Sequence, residues 1–153
     1  MMPKLDLAAI PEDNSCSYPA PFNEIARGRF RKKLGDAGGL TQFGVSLCRL
    51  ESGSASSQRH WHEREEEMVY ILDGEVVLVE DEGETILRPG DAAVFKPGVA
   101  NGHHLVNRSG RDALFLEIGT RPQTEVVHYC DIDLLNIDEG DGDRFTRRDG
   151  TPY

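Results

Sequence analysis

The sequence predicts an all-β fold, and three observations predict it. Several short runs alternate apolar with polar or small residues at a period of two, the pattern of a half-buried strand. From about residue 41 onward these runs are separated at close intervals by Gly, Pro, Asp and Ser, the residues that build turns. No pair of capped amphipathic helices interrupts them. Short strands at this density imply a sandwich or barrel. Their number is compatible with a double-stranded β-helix, or jelly roll. That architecture folds two sheets over each other and either fills its interior with side chains or opens it as a ligand cavity.

Taken in order, residues 1–22 are rich in Pro, Ser and Asp without sustained periodicity, and are expected to run as an extended arm over the barrel or a partner subunit. Arg27, Arg29 and Arg31 alternate with Gly28 and Phe30, so a strand here would place three guanidinium groups on one face. The acidic cluster Asp138, Glu139, Asp141 and Asp143 is the expected neutraliser. A phosphate site is the rival reading, disfavoured by the acidic net charge and by the lack of a glycine-rich cradle. Phe43 to Leu50 alternates as a strand. Met68 to Leu72 and Glu75 to Glu80 are joined by Asp73-Gly74, a dipeptide that takes the positive φ of a tight turn, and a hairpin is expected. Glu80 to Gly83 turns the chain into Glu84–Leu87, and Arg88 to Asp91 turns it into Ala92–Phe95. Strands over His103–Asn107 and Ala113–Gly119 flank a turn at Arg108–Arg111. Val126 to Tyr129 is a further short strand, followed by an acidic loop. One domain is expected over 1–153, with the arm and first strands in 1–40, the barrel core in 41–120 and an extension in 121–153.

A chain of 153 residues is long enough to bury a core. Its 17 basic and 27 acidic side chains give a formal charge of −10, which opposes approach to nucleic acid or to an anionic membrane surface. No apolar run has the length of a signal peptide or a membrane span, so a cytoplasmic location is expected. Cys16, Cys48 and Cys130 are odd in number and widely spaced, which argues against a disulfide framework and for packing roles.

The histidines carry the chemistry. Four of the five lie in two short segments, His60-Trp61-His62 and His103-His104. On a strand, His60 and His62 project to the same face. Glu67 opens the next strand and brings a carboxylate toward it, with Glu66 as its rival. His103 opens a third strand, with His104 as its rival. Neutral imidazole and carboxylate together suit one divalent transition metal, Zn, Fe, Mn or Ni, rather than calcium. Gln58 shares strand parity with His60 and His62 and is expected to face the cavity. Glu117 is a candidate base for proton abstraction. Trp61 and Tyr70 have the opposite parity and are expected to pack or to contact another subunit, and His128 to be a surface or hydrogen-bonded histidine. Asn107 is expected to serve a turn through bonds to backbone amides.

The order Gly53, His60-x-His62, Glu67, Gly74 is similar to the first signature of the cupin superfamily. Gly90-Asp91, Pro97-Gly98, His103 and Asn107 resemble the second, with one extra residue before Pro97 and two, read as Asn101 and Gly102, delaying the histidine. The resemblance spans about residues 41 to 120 and implies His60, His62, Glu67 and His103 as metal ligands. Six residues between Glu67 and Gly74 favour Glu67 over Glu66. Tyr18–Phe22, Gly39–Val45 and Arg148–Tyr153 further resemble a bacterial group of small one-domain cupins that carry the provisional label sugar-phosphate isomerase. The expectation is a metal-dependent isomerase, or a related enzyme, acting on a small sugar or oxo-acid. A non-catalytic ligand-binding or sensor module and an iron-dependent dioxygenase are the alternatives. A homodimer is the expected assembly, dimers being the commonest oligomers.

Overall fold

The computed structural model describes residues 3–153, so the first two residues of the expected arm lie outside it. A 3-10 turn at Phe22–Ala26 leads into β1 (Arg29–Lys33), a single helical turn α1 (Leu34–Ala37) and β2 (Phe43–Leu50). Then follow β3 (His60–His62), β4 (Glu67–Asp73), β5 (Val76–Glu80), β6 (Gly83–Leu87) and β7 (Ala92–Phe95). The chain continues through β8 (His104–Val106), β9 (Ala113–Thr120), β10 (Glu125–Tyr129), β11 (Leu135–Asp138) and β12 (Arg144–Thr146). One sheet runs β1-β2-β9-β4-β7. The opposing layer runs β12-β11-β10-β3 and β6-β5-β8, and backbone bridges at His60–His103 and Ala55–Val106 tie its two halves together. Every strand pair is antiparallel, the all-β jelly roll that the turn-rich pattern predicts.

The inward face of the first sheet changes character along its strands, and this change creates the site. On β2 the inward series is Leu50, Cys48, Ser46, Gly44. On β9 it is Ala113, Phe115, Glu117, Gly119, and on β4 it is Ile71, Val69, Glu67. The apolar ends meet Val76, Leu78, Leu87 and Leu105 of the other layer in a closed core, with Phe115, Leu50 and Ile71 wholly buried. Burying each such side chain contributes about 1.5–3 kcal/mol. The polar ends cannot close on themselves without stranding charges, so they line a cavity of about 710 Å³ instead. A second cluster, Val127, Tyr129 and Leu134 against Tyr18, Phe22 and Phe145, fastens the arm and the C-terminal extension beside that cavity.

Three expectations are corrected. The strands flanking Asp73-Gly74 do not pair: β4 pairs with β7 and β9, while β5 pairs with β6 and β8. Gly74 does take a positive φ of 77°, but its turn carries the chain across from one sheet to the other. The three arginines do not meet the C-terminal acids. Arg27 pairs with Glu24, Arg31 with Glu117, and Arg29 donates to the carbonyls of Ser56 and Ser15. Asp138 instead accepts the amides of Gly140 and Gly142, and Glu139 pairs with Arg144. The expected acidic loop is the turn of a β11–β12 hairpin, Leu135 opposite Thr146 and Ile137 opposite Arg144. The arm takes the first of its two expected placements and lies on its own barrel: Asp13 bridges to Arg31, and Asn14 donates to the carbonyls of Arg27 and Arg29.

Candidate metal centre

The structure brings His60, His62, Glu67 and His103 together in the cavity. One donor atom each from His60, His62 and Glu67 lie within 4.8 Å of one another. Glu67 Oε2 is the hub, 2.8 Å from His103 Nε2, 3.3 Å from His62 Nε2 and 3.7 Å from His60 Nε2. Backbone pairing sets this geometry. The bridge from His60 to His103 fixes β3 against β8, and β4 delivers Glu67 from the opposite sheet. Around the cluster, His60 Nδ1 lies 2.8 Å from the Gln58 carbonyl, which orients the ring with Nε2 inward. His103 stacks flat on Phe95, ring centroids 3.6 Å apart.

The cluster's donor set and electrostatics suit a cation. His62 is the sharpest sign: both its ring nitrogens are buried without a hydrogen-bond partner among the described residues, Nε2 lying out of line with Glu67. Burial lowers the pKa of His62, but Glu67, with Glu65 and Glu125, outweighs it and raises the pKa to about 8. Burial would raise Glu67, yet contacts with His103, His60 and His62 hold its carboxyl well below the usual carboxylate range. His103 is lowered, by burial first and then by the neighbouring imidazoles, which leaves it neutral. Three imidazoles around one carboxylate, with an orphaned pair of nitrogens among them, fit a divalent transition metal.

The rival residues separate cleanly. His104 turns its Nδ1 to the Ser57 carbonyl, 2.8 Å away, and Glu66 is exposed. The inserted residues are used structurally: Asn101 donates to Glu80 and accepts the Asp81 amide, and Gly102 lets Cys130 approach where any Cβ would collide with its sulfur. Gln58, expected to face the cavity, instead donates to the Phe22 carbonyl at 3.1 Å and does not line the cavity, because the 3-10 turn offers an acceptor on its other side. Glu117 does line the cavity, its Oε2 2.8 Å from Arg31 Nε. Trp61 packs outside, stacked on its cross-strand neighbour His128, which in turn bonds Glu63. Asn107 is wholly buried and bonds carbonyls as well as the Ser109 amide.

Two cavity residues escaped the sequence reading. Glu65 lies 3.4 Å from His62 Nδ1, and burial together with the surrounding carboxylates raises its pKa to about 7. Its parity with Glu67 was a legible signal. Glu125 accepts the amides of Glu63, Arg64, Glu65 and Val126, and so moors the loop that carries Glu65. Nothing local marks it, since its position follows from β10 pairing with β3.

Fold and site together define a class: a jelly-roll barrel closed by apolar residues at one end and holding a histidine–carboxylate cluster at the other. The cupin domain family matches residues 46–119. A crystal structure of a sugar phosphate isomerase of the cupin superfamily from Silicibacter pomeroyi is 47% identical, covers 99% of this chain and 96% of its own, and superposes with a TM-score of 0.95. An Acidithiobacillus ferrooxidans protein, provisionally named a sugar phosphate isomerase, is 29% identical with a TM-score of 0.76, over 83% of this chain and 82% of its own. A beta-D-galactosidase of Mycobacterium tuberculosis is 32% identical over 111 residues, 72% of this chain and 90% of that protein. The chain belongs to the cupin superfamily.

Proposed function

We propose that this protein is a metal-dependent enzyme that isomerises a small sugar or sugar phosphate, with His60, His62, Glu67 and His103 holding one divalent transition metal. The observation that carries this reading is the buried, unpartnered pair of nitrogens on His62 beside a carboxylate already surrounded by imidazoles. The names of the Silicibacter and Acidithiobacillus relatives supply the substrate class. A bound ion would polarise a sugar oxygen and favour the enediolate that isomerisation passes through. Glu117, its carboxylate 2.8 Å from Arg31 Nε, takes the proton from the carbon next to the carbonyl. Glu65, whose pKa near 7 leaves it partly protonated at neutral pH, returns a proton to oxygen or carbon.

The mycobacterial relative's name suggests glycoside hydrolysis as a second reading. Glu65 and Glu117 support it, two carboxyls in one cavity, of which one is partly protonated and the other ion-paired. The test is elemental analysis of wild type and of a His60→Ala/His103→Ala double variant, followed by incubation with aldose phosphates in D2O. Isomerisation incorporates deuterium at C1 of the ketose product and at C2 of aldose re-formed from the enediolate, seen by NMR, and Glu117→Gln lowers the rate by about 10²–10⁴. Hydrolysis of a nitrophenyl galactoside without C2 exchange selects the second reading. Oxygen uptake on an iron-loaded sample selects a dioxygenase. Wild type free of metal even after reconstitution overturns the metal assignment.

A further inference from the structure

The cavity holds a cation that no carboxylate among the described residues claims. Arg29 is 5% exposed and lines the cavity, yet its hydrogen bonds go only to the carbonyls of Ser56 and Ser15. The acids that share the cavity are engaged elsewhere: Glu67 with the histidines, Glu65 beside His62, Glu117 with Arg31, Glu125 with four backbone amides, Asp138 with two, Asp143 with Asn136. Arg121, the third cavity arginine, pairs with Asp36. A guanidinium removed from water without a counter-ion is costly unless an anion completes it.

Its neighbour points the same way. Arg31 stands two residues along the same strand, so both side chains project inward. Arg31 approaches Glu117 only through Nε, at 2.8 Å but out of line for a hydrogen bond, and its terminal nitrogens bond nothing among the described residues and are not sealed off from the cavity. Two planar forks, one without a counter-ion and one with its outer edge free, match a tetrahedral oxyanion that accepts several hydrogen bonds at once. The volume of about 710 Å³ is in the range of small-molecule sites, roughly 300–1,000 Å³.

The geometry points to Arg29 and Arg31 as the subsite for the phosphate of a phosphorylated sugar whose reacting end lies at the histidine cluster. This assignment rests on the proposed sugar chemistry for its substrate, but phosphate binding is measurable without any turnover. The experiment is calorimetric titration of inorganic phosphate into the full chain, both metal-loaded and stripped with chelator. Wild type is expected to bind phosphate in both states, at least tenfold more tightly than acetate. Arg29→Gln is expected to weaken binding at least tenfold in the stripped state, with an unchanged far-ultraviolet spectrum. Should Arg29→Gln fail to fold, Arg31→Lys keeps a positive charge facing Glu117 while removing the fork, and is expected to weaken binding at least threefold. Binding that vanishes on stripping places phosphate on the metal and overturns the subsite. Undiminished binding in the folded variants overturns it too, as does equal affinity for acetate. Phosphate binding with no isomerisation of any sugar phosphate leaves the subsite standing and removes the proposed reaction.

Discussion

At the scale of single residues, His62 sets how the cluster responds to pH. Its pKa is raised to about 8 in the folded, metal-free protein against about 6.5 in an unfolded chain. A raised pKa means that the protonated form stabilises the fold. The contribution is fully present below about pH 6.5 and is lost as pH rises through 8, about 1–2 kcal/mol in all. A metal needs the same imidazole neutral, so its apparent affinity falls about tenfold for each pH unit below 8 from this proton alone. The melting temperature of chelator-treated protein should therefore fall between pH 6.5 and 8.5, while the increment conferred by added metal grows. Curves that move together would refute the competition. Asn107 gives a second residue-scale prediction. Wholly buried, it donates to the carbonyls of Leu50 and Arg111 and accepts from both the amide and the hydroxyl of Ser109. Asn107→Ala strands these groups and should cost about 2–4 kcal/mol in urea unfolding, with metal content retained. His60 and His62 could be read from the chain because they share one short strand, and Glu67 and His103 because each stands where a neighbouring strand begins. The role of Arg29 could not, because what makes it free is the absence of a carboxylate that only the folded packing decides.

At the scale of elements, the Asp73-Gly74 turn shows what local chemistry does and does not decide. Positive φ at Gly74 was legible, since Asp-Gly favours it, but which strands then pair depends on the faces they must bury. Ile71 and Val76 are both wholly buried, and they reach the core from opposite sheets, so the turn is a corner rather than a hairpin. The corner is tight: a Cβ on Gly74 would lie 2.7 Å from the Asp112 carbonyl oxygen and 2.8 Å from Ala113 Cα. Gly39 has a similar φ of 75° with nothing within 4 Å. Gly39→Ala should cost about 1–2 kcal/mol, the left-handed penalty alone. Gly74→Ala adds backbone overlap and should cost about 2 kcal/mol more. Equal losses in denaturant titrations would show that the corner relaxes. Most other strands declared themselves through alternation between turn residues. β11 and β12 did not, because they are only four and three residues long and an acidic turn separates them; Phe145 packs on the second cluster, and Leu135 and Ile137 are held by pairing with β10 and β12, of which the pairing with β10 lies outside a short local window.

At the scale of the whole molecule, the outer face of the five-stranded sheet has too much apolar surface for its surroundings. Cross-strand register aligns Leu47 with Leu116 and Leu116 with Tyr70, and places Met68 between Ile118 and Val94. The arm shields only the β1–β2 side, where Lys32 reaches the Leu7 carbonyl and Arg49 pairs with Glu12. Toward β4 and β7 the face stays open: Tyr70 is 38% exposed, Leu72 41% and Val94 66%. Monomers seldom leave such a contiguous patch in water, and a self-complementary two-fold contact would cover it. The prediction is a homodimer through this face, with twice the chain mass by light scattering at micromolar concentration. Tyr70→Asp/Val94→Asp should shift it to monomer, since a carboxylate near the axis would meet its own copy. Both residues point away from the cavity, so the variant should keep the metal content and phosphate affinity of wild type unless the dimer itself supports the barrel. A wild-type monomer, or a dimer indifferent to both substitutions, would rule this face out as the interface.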